Sequence, residues 1–122
     1  MKRTRILVVD DDPDIRTLVN VVLRKNGFEV ETASREEEVY DKIAAFQPAL
    51  ILLDVLLSGA DGRLICEKLK NDVKTAHLPV VMCSAHPAAG KQDYGADDFL
   101  SKPFSEEALI EKIQRQLAPA EK

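Results

Sequence analysis

Apolar positions along this chain fall into short continuous runs separated by polar stretches of helical period. Arg5-Ile-Leu-Val-Val9 is β-branched and closed by three acids, which predicts a first strand. Asp12-Pro13 then opens a helix, with Asp12 as N-cap and Pro13 at the first helical position, where its missing N–H is harmless. Ile15, Leu18, Val19, Val22 and Leu23 recur at helical spacing along its inward face, and Gly27 supplies the stop. Phe28 to Ala33 alternates as a second strand. Ser34 with Glu37 three residues on is a capping box for a helix striped by Val39, Ile43 and Phe46, which Pro48 ends.

The most apolar stretch is Ala49-Leu-Ile-Leu-Leu-Asp54-Val-Leu-Leu57, a third strand with a carboxylate set among aliphatics. A glycine-rich loop, Ser58-Gly-Ala-Asp-Gly62, leads to a third helix whose Leu64, Ile65, Lys68 and Leu69 form the sheet-facing edge. Leu78 to Ser84 is a fourth strand. Only ten residues lie between Ser84 and Gly95, Pro87 and Gly90 among them, which leaves room for a turn or two of helix. Asp97 to Ser101 is a short fifth strand, Ser105 caps a last helix through Leu109, Ile113 and Leu117, and Ala118 to Lys122 is a tail. Strands alternating with helices through short connections predict an α/β fold, a parallel sheet covered on both faces. The expectation is one domain over residues 1–122 with its core at about 5–118, without internal repeats.

Composition narrows the function classes. At 122 residues, 45% hydrophobic and 31% charged, this is an ordinary soluble chain able to bury a core. A net charge of −4 gives no electrostatic footprint for nucleic acid. No apolar run approaches the ~18 residues of a membrane helix, and the basic start is not a signal peptide. Cys66 and Cys83 fit no metal or redox spacing and read as two reduced thiols of a cytosolic protein.

The chemistry is expected where the strands end, because open parallel sheets collect it at their carboxyl edge. That edge carries Asp10 and Asp11 after strand one, Asp54 after strand three, Ser84 after strand four and Lys102-Pro103 after strand five. Each has a plainer reading alone. Asp10 or Asp11 could serve the dipole of the first helix, Asp12 is explained by its cap, Ser84 is a strand-end hydroxyl and Lys102 a solvated charge. Unrelated roles would scatter these residues, yet they share one edge. Three clustered carboxylates repel and call for a cation, and hard oxygen donors without His or Cys favour Mg²⁺. A carboxylate beside Mg²⁺, an ammonium and a hydroxyl is equipped for phosphoryl transfer onto the carboxylate. A plain metal site would leave Ser84 and Lys102 unexplained.

In this order and spacing, Ile6-Leu-Val-Val-Asp-Asp11, Leu50-Ile-Leu-Leu-Asp54, Gly59-Ala-Asp-Gly62, Cys83-Ser-Ala85 and Gly95-Ala-Asp-Asp-Phe-Leu-Ser-Lys-Pro-Phe104 resemble a bacterial response-regulator receiver domain of two-component systems, like the single-domain chemotaxis receiver. The resemblance implies a doubly wound, flavodoxin-like (βα)5 fold with a five-stranded parallel sheet in order 2-1-3-4-5. It implies Asp54 as phosphoacceptor, Asp10 and Asp11 as Mg²⁺ ligands with Asp54 and the Leu56 backbone carbonyl, and Lys102 as the bridge to the phosphoryl group. It further implies Ser84 as switch hydroxyl, Phe99 as the aromatic that follows it, and a cis Lys102–Pro103 bond. A strand aromatic packed on the last helix is the plainer reading of Phe99. The implied partners are a sensor histidine kinase or histidine phosphotransfer protein and a downstream protein, with no nucleic-acid or membrane contact, in a cytoplasmic monomer or weak dimer. Self-phosphorylation from phosphodonors and slow self-dephosphorylation are expected, rather than turnover.

Departures from the family pattern shape the alternative. Ser84 and Lys102 are 18 positions apart, about one helical turn short of the usual receiver, so the fourth helix is expected to be truncated or irregular. Ser58 stands where proline is common, and Leu56 and His86 flank the approach of water to an acyl phosphate. The alternative function is a receiver-derived interaction module whose output is uncoupled from phosphorylation. The same residues suit a free-standing receiver or one excised from a larger regulator.

Overall fold

The computed structural model describes residues 3–57, 59–85 and 95–117. Ser58, His86, Pro87, Gly90 and the tail from Ala118 lie outside the described residues, and with them the expectation of a truncated fourth helix. The elements are β1 (Arg5–Val9), α1 (Pro13–Lys25), β2 (Glu29–Ala33), α2 (Glu36–Phe46), β3 (Leu50–Asp54), β4 (Leu56–Leu57), β5 (Ala60–Asp61), α3 (Gly62–Lys70), β6 (Val80–Ser84), β7 (Asp98–Ser101) and α4 (Glu106–Leu117). Five strands form a parallel sheet in the order β2-β1-β3-β6-β7, the flavodoxin-like order. The run read as strand three breaks after Asp54, and its last residues, β4, form a separate antiparallel ribbon with β5, which lies in the expected loop.

Strand alternation divides the core in two. Ile6, Val8, Leu50, Leu52, Val81, Cys83 and Leu100 meet α1 and α4 on one face. Leu7, Val9, Ile51, Leu53, Val80 and Met82 meet α2 and α3 on the other. Both faces are covered, so the central strands read as unbroken apolar runs. The helices begin largely as their residues dictate: the Asp12 carboxylate accepts from the Asp14 N–H at 2.9 Å, and the Ser105 hydroxyl accepts from the Ala108 N–H at 3.0 Å. Gly27 leaves α1 with φ 91°.

Four details differ from the sequence expectation. The α2 box is closed by Glu38, not Glu37; its carboxylate accepts from the N–H groups of Ser34 at 2.7 Å and Arg35 at 3.2 Å. Leu18 and Leu64 are 55% and 50% exposed, lying just off the inward stripes of α1 and α3. In α3 the core position belongs instead to Cys66, beside Ile65 and Leu69. Phe99 is half-buried against the α2 and α3 face, opposite the last helix, because alternation gives the α4 side to Asp98 and Leu100.

Asp97 fastens the start of the β6–β7 pair. Its carboxylate accepts from the Val80 N–H at 2.8 Å and from Lys70 Nζ at 2.7 Å, while Lys70 also donates to the Leu78 carbonyl at 2.7 Å. Asp97→Ala leaves two donors without this acceptor and is expected to cost about 1–2 kcal/mol in urea unfolding. A cost near zero would show that water replaces the carboxylate fully.

Candidate functional site

The site follows from parity. Asp10 continues the Ile6, Val8 alternation of β1, Asp54 ends the Leu50, Leu52 alternation of β3, and Lys102 lies two positions beyond Leu100 of β7. Val8 pairs with Leu52 and Val9 with Leu53, so the register carries Asp10 and Asp54 to the same level. Both carboxylates are buried, 4% and 8% exposed. Lys102 Nζ reaches between them, 2.8 Å from Asp10 Oδ2 and 3.3 Å from Asp54 Oδ1. Asp11 is half-buried beside them, and donor atoms of Asp10, Asp11 and Asp54 all lie within 4.8 Å of one another.

Asp10 accepts hydrogen bonds at three of its oxygens. Its Oδ1 accepts from the Asp12 N–H at 3.0 Å, its Oδ2 from Lys102, and its backbone carbonyl from the Arg16 guanidinium at 2.8 Å. The Lys102 N–H donates to the Ser84 carbonyl at 2.8 Å, which ties the ends of β6 and β7, and the Lys102–Pro103 bond is cis. Ser84 is half-buried and pairs with Ser101 in register; its alternation follows Val80 and Met82, toward the face that holds Phe99. Phe99 pairs with Met82 in register, below the edge, and does not join the acidic cluster.

Gly62 was part of a loop motif in the sequence, without a role. In the structure its N–H donates to the Val55 carbonyl at 2.7 Å, and a Cβ there would collide with the Asp54 carbonyl oxygen. The first turn of α3 can therefore lie against the strand end only with glycine at this position. Leu56, 53% exposed, sits just past Asp54 on β4. Beneath the carboxylates, Val8, Leu52, Cys83 and Phe104 close around a void of about 10 Å³. The floor is thus filled, and a reacting group must arrive from the solvent side.

Burial, and then the Asp10 charge, push the Asp54 carboxyl from its ordinary 3.8 up to about 6; Lys102 and the Leu56 N–H act against the rise. Burial also works against the Lys102 ammonium, yet the hydrogen bond to Asp10 and the Asp54 charge hold its pKa above the ordinary lysine value. Buried Cys83 is pushed upward and remains a thiol. One ammonium, paired with Asp10 and Asp54, neutralises only part of the charge that three clustered carboxylate donors can carry. That donor set fits a small divalent cation such as Mg²⁺, with Asp10, Asp11 and Asp54 as the groups that would hold it.

Two predictions follow from this arrangement. Because the folded state holds the Asp54 proton more tightly than the unfolded chain, its contribution to stability is present below about 3.8 and lost as pH rises through about 6. In metal-free buffer at pH 7, Asp54→Asn should raise the melting temperature by about 3 °C or more, and the gap should narrow toward pH 4; a variant no more stable than wild type at pH 7 contradicts this. Gly62→Ala should destabilise by about 1–3 kcal/mol in the same assay, and an unchanged midpoint would mean that α3 shifts freely.

The comparisons agree with the geometry. Residues 6–114 match the response regulator receiver domain family. The DNA-binding dual master transcriptional regulator RpaA of Synechocystis is 37% identical over 117 residues, covering 93% of this chain and 48% of that protein. A solved structure from Chloroflexus aurantiacus has a TM-score of 0.91 at 33% identity, covering 97% of this chain and 100% of the other. The chemotaxis response regulator CheY4 of Vibrio cholerae has a TM-score of 0.85 at 28% identity, covering 94% and 99%. The chain spans about half the length of the curated relatives it matches. With its sheet order, its acidic edge and the matched span together, the chain belongs to the response regulator receiver domain family.

Proposed function

We propose that this domain receives a phosphoryl group on Asp54 from a histidine kinase or a histidine phosphotransfer protein and passes the change to a protein partner. The observation that carries the reading is Lys102 Nζ set between the buried Asp10 and Asp54 carboxylates at the solvent edge of the sheet. An Asp54 carboxylate oxygen attacks phosphorus in line with the histidine nitrogen. The O–P bond forms as the N–P bond breaks, the electron pair returns to the imidazole, and Asp54 becomes an acyl phosphate. Lys102 keeps the incoming charge compensated by turning its ammonium toward the phosphoryl oxygens. Asp10 and Asp11 would hold Mg²⁺ together with Asp54 and the Leu56 carbonyl. That ion, when bound, neutralises charge on the transferring group.

The Ser84 hydroxyl is the group we assign to sense the new phosphoryl oxygens. It ends the strand whose Met82 pairs with Phe99, so a shift of Ser84 reaches the half-buried Phe99 across one strand pair. Output through protein contact suits a chain with net charge −4. The domain would work in the cytoplasm as a monomer or weak dimer; among the described residues no helix is long and apolar enough to cross a membrane. Any further activity of a longer protein, such as the DNA binding in the name of RpaA, would lie beyond the matched residues.

The test is intact-mass analysis after incubation with Mg²⁺ and a small phosphodonor such as acetyl phosphate. One phosphoryl group is expected on the wild type, and none after Asp54→Asn or in excess chelator. Wild-type protein that gains no mass with the metal present would defeat the reading.

A further inference from the structure

We infer that Arg16 is a positioning residue for the metal-binding acids: its guanidinium clamps the Asp10 carbonyl and so holds the Asp10–Asp11 step in the shape that grips a divalent cation. The inference rests on the proposed metal site and names a residue outside the acidic motif.

Helical side chains lean toward the helix N-terminus, so a residue in the second turn of α1 overlies the loop that enters the helix. Arg16 does this. Its N–H closes the first turn on the Asp12 carbonyl at 3.0 Å, and its half-buried guanidinium reaches back to the Asp10 carbonyl at 2.8 Å. That carbonyl stands just past the last strand pair of β1, Val9 with Ala33, where the ladder no longer fixes it. Asp10 N–H still donates to the Ala33 carbonyl at 3.1 Å, so one side of this peptide step belongs to the sheet and the other to Arg16. The Asp10 carbonyl is the start of the peptide plane that carries Asp11. Rotation of that plane would swing the Asp11 carboxylate away from Asp10 and Asp54, whose donor atoms now lie within 4.8 Å of its own.

Arg16 has two effects of opposite sign on a bound cation. Its positive charge repels the ion, while its hydrogen bond orders the ligands. Removing the side chain therefore separates the two by direction. If charge alone mattered, Mg²⁺ would bind more tightly without Arg16; if orientation dominates, it binds more weakly. A role confined to packing α1 lowers the melting temperature and leaves the affinity of the folded protein unchanged.

The experiment is a Mg²⁺ titration of the phosphoryl-free protein at a temperature where every variant is folded, followed by amide NMR shifts at Asp11 and Asp54. Wild type, Arg16→Met, Arg16→Lys and Asp11→Asn are compared. We expect Arg16→Met to bind Mg²⁺ about tenfold more weakly than wild type, with Arg16→Lys, which keeps the charge and a donor nitrogen but not the planar guanidinium, between them. Should Arg16→Met fail to fold, Arg16→Lys carries the test, weaker binding than wild type supporting the clamp. Equal or tighter binding by the folded variant overturns it. Wild type that does not respond to Mg²⁺, or Asp11→Asn that responds equally, would instead bring down the metal site itself.

Discussion

Everything at this site depends on one electrostatic constraint: Asp10 and Asp54 are buried at the same level of adjacent strands, and one ammonium lies between them. Neither carboxylate is tolerable there without compensation. The Lys102 contacts of 2.8 and 3.3 Å supply part of it, and the raised Asp54 carboxyl shows that they do not supply all. In the proposed function, that residual negative charge would make the edge receptive to a cation and leave Lys102 to turn toward an incoming phosphoryl group. A site satisfied in full would be a structural ion pair with no affinity left over.

The surrounding structure serves to keep that imbalance in place. Parity on β1 and β3 sets the two carboxylates side by side, and the short β4–β5 ribbon returns the chain so that α3 starts against the Asp54 carbonyl. Gly62 permits that approach by having no Cβ. Below, apolar side chains fill the floor, which keeps the local dielectric low and the charges strongly coupled. If Asp54→Asn proves more stable, the carboxylate is kept here against the optimum of the fold, as expected of a functional residue.

Much of this is legible in the chain. Buried parallel strands announce themselves as aliphatic runs, and Asp54 is conspicuous because it interrupts one. Asp12-Pro13 and Ser105 mark helix starts by local chemistry alone, and the carboxyl edge collects Asp10, Asp11, Ser84 and Lys102 once the strands are placed in a parallel sheet. What remains hidden depends on facts that no local pattern contains. Leu18 and Leu64 fall at helical spacing with the apolar residues of their helices, yet both lie just off the buried stripe, a distinction that periodicity does not draw. The side taken by Phe99 needs the parity of β7 relative to β6, known only from register. Gly62 and Arg16 act through backbone carbonyls of distant or preceding residues, contacts to which composition and periodicity are blind.

The proposed switch requires that charge at Asp54 be linked to the strand that holds Phe99. The most direct measurement is a pair of amide NMR spectra of the Mg²⁺-saturated protein, with and without a beryllium fluoride mimic of the phosphoryl group. Large shifts are expected at Asp10, Asp11, Asp54 and Lys102 that continue through Ser84 to Phe99, all absent in Asp54→Asn. Shifts confined to the acidic edge, or the same shifts in Asp54→Asn, would contradict it.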